Sequence, residues 1–395
     1  MRIVQVGLGD LRKDVRVQKT GRYLKRLGHE VIYVSLWHYN ESNCVFFPIN
    51  SDESGSLYYV ANNRAGSVLG DAIEDEFAPD VIHAHELDAL WPVVADFTPE
   101  AVTGLMRGAA PIDLQMKTKS RHARVVYDAH EWESGRRVDG KCLEETELLM
   151  QERAWRESIC LQRCQAVIAV SPAIVEKFHA TYGIVPYCVP NCPVLPDIRF
   201  DRRQMRALLG IRDDDRVVAF AGNITGGRKL DLLAEAMEWL TSDWRLMIIG
   251  QMCCFETVKA LAATDRAMFI APKPYPYGDQ PYRKTLLDYL RACDVGINLT
   301  DMTIPSYRMA LPNKLFEYAF ADLVTVSSRQ EDSEKLTRRY GLGCVVEDEL
   351  DARDLATAIV YADTQRVRQS ELRAEFRSAW SFEAQCQPAL DKIYS

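Results

Sequence analysis

Short apolar runs alternate with longer amphipathic stretches along the whole chain. Residues 2–7 (RIVQVG), 30–36 (EVIYVSL), 80–85 (DVIHAH), 124–129 (RVVYDA), 166–171 (AVIAVS) and 186–191 (PYCVPN) have the length and β-branched content of buried strands. Helix-period segments such as VRVQKTGRYLKRLG and ELLMQERAWRESICLQRCQ separate several of them. This alternation predicts a parallel, doubly wound α/β sheet. It restarts after the proline-rich VPNCPVLPDIRFD, with strands predicted at 216–222, 245–250, 267–272, 294–299, 323–328 and 343–348. Two Rossmann-like domains are therefore expected, 1–193 and 199–380, with a linker near 190–198. Residues 99–122 and 132–147 fit neither period and are predicted to be loops or lids over the first sheet. The closing segment, 381–395, has a helical pattern but no strand after it to serve.

The length supports this division, since 395 residues exceed one typical core. A formal net charge of -8 argues against nucleic acid as a partner. No apolar run approaches the ~20 residues of a membrane span, and the first ten residues lack the charged and apolar regions of a signal peptide. Eleven cysteines without a C-x-x-C predict packing thiols rather than disulfides or a zinc site. The expected setting is reducing and cytoplasmic.

Ligands of doubly wound sheets bind beyond the carboxyl ends of the strands, so the residues there are the candidates. Gly7 and Gly9 in VGLGD allow close backbone approach, but the spacing is not G-x-G-x-x-G, and a plain tight turn is the alternative. Two strands end in His-Glu: His85–Glu86 and His130–Glu131. Aimed at one crevice, they suit hydroxyl binding or proton transfer; a histidine there is as often a structural hydrogen-bonder. HAHELD also invites a metal-dependent hydrolase. That chemistry wants an aspartate four residues after the first histidine, and Leu87 stands there, with Asp88 fifth and Ala89 next. No metal is expected.

In the second half, FAGNITGGRKLDLLAEAM places Gly222 and Asn223 after a strand and Arg228 and Lys229 where a helix opens. Helix-start amides and two cations suit a dianion, although the spacing is not that of a Walker loop. A surface basic pair is the plainer alternative. LPNKLFEY puts Pro312 and Asn313 at another helix start, then Lys314, Leu315, Phe316 and Glu317. Glu317 could accept both hydrogen bonds of a vicinal diol such as ribose, or merely complement the helix dipole.

In order and spacing these segments resemble the GT-B nucleotide-sugar glycosyltransferases, specifically the retaining group called family 4. The resemblance runs from GLGDLRKDVRVQKTGRYLKRLGHEV through PDVIHAHELDAL, VVYDAHE, VIAVSPAIVEKF and VPNCP to AGNITGGRKLDLLAEAM, CDVGINL and LPNKLFEY. It implies two Rossmann-like domains facing a cleft, with the donor on the second and the acceptor on the first. It implies that residues 381–395 return to the first domain. By resemblance Arg228, with Lys229 beside it, neutralises the leaving diphosphate, amides near Leu315 and Phe316 hold phosphate, and Glu317 takes the ribose. His130 matches the histidine against the donor sugar, and Gly7 and Gly9 match the loop facing diphosphate and acceptor. His85, Glu86 and Glu131 are assigned to the acceptor side, and Lys314, Gly222 and Asn223 to the donor.

Two positions depart from the family pattern. Asn223 stands where many relatives carry an arginine, and Met309 stands where the first of two glutamates eight residues apart is usual. Tyr307 or Arg308 is the candidate replacement. The expected activity is transfer of a sugar from a nucleoside-diphosphate sugar, with retention, by front-face substitution and without cofactor or metal. The acceptor (saccharide, lipid-linked or small natural product) is left open. The alternatives are a GT-B epimerase or isomerase acting on the donor alone, and a non-catalytic sugar-nucleotide binder. Between residues 12 and 26 lie Arg12, Lys13, Arg16, Lys19, Arg22, Lys25 and Arg26 against one acid, Asp14. They predict either a solvated face opposite a Val17/Leu24/Leu27 core stripe, or peripheral docking at the inner face of an anionic membrane.

Overall fold

The computed structural model describes residues 1–9, 11, 14–36, 41–42, 45–52, 55–61, 63–64, 69–94, 122–136, 143–195, 201–224, 228–250, 254–264, 266–270 and 286–395. The chain divides into two compact units, Met1–Val189 with Lys392–Ser395, and Pro190–Asp391. The break thus falls at Val189/Pro190 rather than at 193 and 199. Of the segment 381–395, only the last four residues group with the first unit.

The first unit contains strands β1 (Arg2–Leu8), β2 (Glu30–Leu36), β3 (Glu41–Ser42), β4 (Val45–Asp52), β5 (Gly55–Ala61), β6 (Asn63–Arg64), β7 (Val81–His85), β8 (Arg124–Ala129), β9 (Ala166–Ala169) and β10 (Tyr187–Cys188). Eight of them form one sheet in the order β10-β9-β8-β7-β1-β2-β5-β4, and β3 pairs with β6. All pairings in the large sheet are parallel except β4–β5. None of the strands between 41 and 64 is predicted from the apolar pattern. VFFPINSD and GSLYYVA mix proline and small polar residues into short apolar runs, so neither period stands out. A second difference lies at 143–147, predicted as lid, which opens the helix Leu143–Leu161. Acids crowd that first turn and conceal the periodicity, although they suit a helix N-terminus. The predicted lids otherwise fall largely on 99–121 and 137–142, outside the described residues.

The second unit holds β11 (Arg216–Ala221), β12 (Trp244–Ile249), β13 (Ala267–Ile270), β14 (Val295–Asn298), β15 (Val324–Ser328) and β16 (Gly343–Val346). They form a parallel sheet in the order β13-β12-β11-β14-β15-β16. Alternate residues of β11 feed opposite faces: Val218 and Phe220 join one core, while Val217, Ala219 and Ala221 join the other. Burial on both faces is why each strand reads as a continuous apolar run. Strand order reverses beside β1 in the first sheet and beside β11 in the second, opening a crevice at each carboxyl end.

Helix Val15–Arg26 is capped by Asp14, whose carboxylate accepts the Arg16 and Val17 amides. Val17 and Leu24 are buried as predicted, but Leu27 is exposed. Arg16 leaves the expected basic face altogether and is buried. Among the described residues no helix is long and apolar enough to cross a membrane.

Candidate active site

The first-unit site follows from strand period and register. Parallel pairing sets Gln5 beside His83, and His85 beside Asp128. Side chains two apart share a face, so Gln5, His83, His85, Asp128 and, one step past the strand, His130 converge on one side of the sheet. Helix Val15–Arg26 then delivers Arg16 to the same face. Its Nε donates to Asp128 Oδ2 at 2.8 Å and its NH2 to Oδ1 at 2.6 Å, while NH1 reaches the Val189 carbonyl at 2.8 Å. Arg16 is 7% exposed and Asp128 1%.

Three histidines surround this ion pair. His83 and His85 stack at 4.3 Å between ring centres. The nearest His83, His85 and His130 nitrogens lie 3.6, 3.3 and 3.7 Å from Asp128 Oδ2. Burial alone would raise the Asp128 carboxyl, but Arg16 and His130 hold it well below the usual range. Burial and the neighbouring His83 push His85 down to about 3, so it is neutral at pH 7. For His130 burial lowers the pKa, yet Asp128 outweighs burial and the net shift is upward. A chain of hydrogen-bonding atoms results: His130 Nε2 lies 3.1 Å from His85 Nδ1, and His85 Nε2 lies 3.0 Å from Gln5 Oε1. His130, 15% exposed, is the open end of this chain. His83 is enclosed, with its Nδ1 bonded to the Tyr394 hydroxyl near the chain terminus.

His83, His85 and Asp128 offer ligand atoms within 4.8 Å of one another, a spacing that could hold a metal ion. Both Asp128 oxygens are already engaged by the Arg16 guanidinium, however. A divalent cation there would face that fixed positive charge. The donor set is organised around Arg16.

At the rim, Glu86 adopts φ 66°, a left-handed conformation costly for a residue with a Cβ. Its amide is fixed to the Asp128 carbonyl at 2.9 Å. Its carboxylate lies 3.6 Å from His130 Nδ1, and burial pushes its pKa up. Arg136 gathers Glu86, Glu131 and Glu133 at 4.0, 3.4 and 3.0 Å. Gly7 lies beneath: a Cβ there would meet Leu11 at 2.6 Å and His85 at 3.6 Å. Gly9, at φ 71°, turns the chain after β1.

In the second unit the glycine after β11 admits a lysine. Gly222 has φ 134°, and a Cβ on it would lie 3.1 Å from Lys314 Nζ. Lys314 comes from helix Asn313–Phe320 and places its ammonium 5.0 Å from the Phe220 ring centre. Burial and the positive Arg228 lower its pKa to about 8, with Glu317 opposing them. Arg228 lies over the Tyr307 ring at 5.2 Å. Lys229, also left-handed at φ 50°, turns its ammonium to the Asp348 carbonyl. Lys314, rather than Lys229, is thus the second cation of the Arg228 group. Asn223 is exposed beside Gly222.

Leu315 and Phe316 bury their side chains fully, and the Leu315 amide already closes a turn onto the Pro312 carbonyl at 3.1 Å. Glu317 is partly exposed one turn on. Met309 is buried and Arg308 donates to the Met302 carbonyl at 2.6 Å, whereas the Tyr307 ring faces Arg228. Tyr318 anchors the helix by accepting the Ala221 amide at 3.0 Å and donating to the Ile297 carbonyl at 3.1 Å.

Gln5, Arg16, Asp128, Tyr318 and Tyr394 are absent from the site candidates that the sequence motifs suggest. Only Asp128 carries a usable signal, its position two residues before His130 on one strand face. The others depend on register or on contacts distant in sequence.

Comparison with known proteins gives these geometries a context. Residues 14–192 match Glycosyltransferase Family 4. No curated protein matches the sequence. Among solved structures, sucrose-phosphate synthase from Thermosynechococcus elongatus aligns over 100% of this chain and 98% of its own, with TM-score 0.68 and 15% identity. HepE from Anabaena, solved in complex with UDP, aligns over 100% of both chains with TM-score 0.67 and 13% identity. WaaG, a glycosyltransferase involved in lipopolysaccharide biosynthesis, aligns over 100% of this chain and 99% of its own, with TM-score 0.64 and 13% identity. The chain therefore has the GT-B fold, and residues 14–192 carry a Glycosyltransferase Family 4 domain.

Proposed function

We propose that the protein transfers a sugar from a nucleoside-diphosphate sugar to a hydroxyl acceptor, with retention of anomeric configuration and without a metal. The observation that carries this reading is the Lys314 ammonium held beneath Gly222 in the field of Arg228 and Glu317. Two cations at the crevice of a doubly wound sheet match a diphosphate, and Glu317 on the same helix offers a carboxylate to ribose hydroxyls. HepE is solved with UDP and with UDP-glucose, which supports a uridine nucleotide.

In the reaction the glycosyl carbon–oxygen bond breaks with its electron pair passing to the diphosphate. The acceptor oxygen bonds to the same face of that carbon, and its proton passes to the departing diphosphate oxygen. Positive groups fixed around the leaving oxygen are each worth roughly 3–4 kcal/mol in such a step. Arg228 and Lys314 supply them. The first unit supplies hydroxyl recognition: His130, charged more readily than a solvent histidine, with Glu86 and Glu131 beside it.

Titration with UDP tests the donor assignment and its pH dependence. Diphosphate binds the protonated Lys314 and raises its pKa from about 8. Affinity is then level below that pH and declines as pH rises through it, by up to about tenfold per unit. Calorimetry from pH 7 to 9.5 showing either no UDP binding or a profile flat through pH 9.5 would remove Lys314 from the site. Turnover of donor without acceptor into an altered nucleotide sugar would instead identify an epimerase.

The basic helix supports a second, weaker contact. With Arg16 buried, the described outward cations are Arg22 and Arg26, with Lys19 and Lys25 half-buried; Arg12 and Lys13 lie outside the described residues. Exposed Val15 and Leu27 give this surface an apolar component. Peripheral binding to anionic membrane predicts sedimentation with phosphatidylglycerol vesicles that weakens with salt. Sedimentation indifferent to salt and to Arg22→Ala/Arg26→Ala would exclude electrostatic docking.

A further inference from the structure

The second unit contains a cavity of about 600 Å³ bordered by Arg202, Arg291, Arg366 and Arg377, drawn from four different helices. The acids on its lining are Asp201 and Asp322. Asp201 is occupied as the cap of helix Arg202–Leu209, where it accepts the Gln204 amide at 2.8 Å. Asp322 accepts Arg373 and Arg377 at 3.3 Å each. In a chain of net charge -8, four arginines around one cavity are a local reversal of sign.

Two of these arginines have structural employment. Arg202 donates to Asp294 at 2.6 Å and to the Arg291 and Cys293 carbonyls, and Arg377 donates to the Ala319 carbonyl at 3.2 Å. The other two differ. Neither Arg291 nor Arg366 makes a side-chain hydrogen bond to a described residue, the buried Nε of each included. Arg366 has only looser ion contacts, 3.4 Å to Asp294 and 3.7 Å to Asp363. Burial and the charge of Arg377 both depress the Arg291 guanidinium, with Asp288 and Asp322 opposing them. Arginine stays charged at any physiological pH, so the mismatch persists as unmet positive potential. The two Nε atoms are enclosed by protein, so the terminal guanidinium nitrogens, which likewise make no hydrogen bond to a described residue, are the donors left for an ion.

We propose that this cavity binds the phosphoryl group of a small phosphate monoester, with Arg291 and Arg366 as its principal donors. A guanidinium fork matches phosphate oxygens in pairs, and a dianion would compensate two of the four cations. Leu195, Phe320 and Ala374 supply an apolar wall, and the volume suits a small organic ester as well as the ion alone. The cavity is separate from the donor group. Lys314 stands in the first turn of helix Asn313–Phe320 and Phe320 at its far end, roughly 10 Å along the axis.

The test is equilibrium titration of the full chain with inorganic phosphate and, separately, glucose 6-phosphate, in three proteins. Wild type and Arg228→Ala are expected to bind the probe with equal affinity, while the pair Arg291→Gln/Arg366→Gln weakens it at least tenfold. UDP affinity should follow the opposite pattern, lost in Arg228→Ala and kept in the cavity pair, which also reports that the pair is folded. Should the glutamine pair fail to fold, Arg291→Lys serves, with a severalfold loss expected because the charge remains but the fork does not. Tighter binding of the sugar phosphate would identify an organic ester, and equal binding the ion itself. The proposal is overturned by the absence of saturable binding of both probes, or by a loss in Arg228→Ala as large as in the cavity variants. It stands or falls independently of the donor assignment, because phosphate and UDP are read separately.

Discussion

Replacing Arg16 by alanine is expected to destabilise the first unit by about 3–5 kcal/mol, the cost of leaving a buried carboxylate without its partner. Asp128 keeps three histidines nearby, but His83 and His85 resist protonation in their buried setting, so they compensate poorly. Arg16→Lys should recover only part of the loss, because an ammonium cannot reproduce two parallel bonds and the third to Val189. Removing both charges, as Arg16→Met/Asp128→Leu, should cost less than Arg16→Ala alone. Asp128 titrates below its unfolded value, so its contribution is present above the ordinary carboxylate range and lost only as pH falls through the depressed folded pKa. Urea denaturation of these variants is the measurement, and an Arg16→Ala midpoint within error of wild type would contradict the buried-pair account.

Arg228→Ala and Glu317→Ala should each reduce sugar transfer by about 10²–10³-fold while leaving the fold intact. Arg228 rests on Tyr307 at the surface of its unit and Glu317 is partly exposed, so neither truncation opens a core cavity. The two losses differ in kind. Arg228 acts on charge that grows as the bond breaks and should lower kcat more than it raises KM. Glu317, assigned to ribose, acts mainly on binding and should raise KM. Transfer assayed with UDP-sugars in both variants decides this; near-normal turnover in both would place the donor elsewhere.

The strands are the most legible part of the chain. All twelve predicted from apolar runs appear, because a parallel sheet buried on both faces writes itself as short continuous hydrophobic segments. The hairpin of β4 and β5 is not legible, since an edge pair with proline, serine and aspartate lacks that signature. The candidate histidines are visible as chemistry at strand ends, yet their division of labour is not. His85 and His130 look equivalent at their strand ends, and burial separates them into a neutral inner histidine and a rim histidine that takes a proton more readily, while His83, inside its strand, is enclosed against Tyr394.

By itself the sequence determined the α/β architecture and its division into two units, because hydrophobic period is a local property of the chain. The tertiary structure alone decided that Arg16 leaves the basic face to neutralise Asp128, and that Lys314 rather than Lys229 stands beside Arg228. The same holds for the four arginines that share one cavity from positions 202 to 377. Which charge meets which across a hundred residues depends on packing and strand register, and no local pattern encodes it.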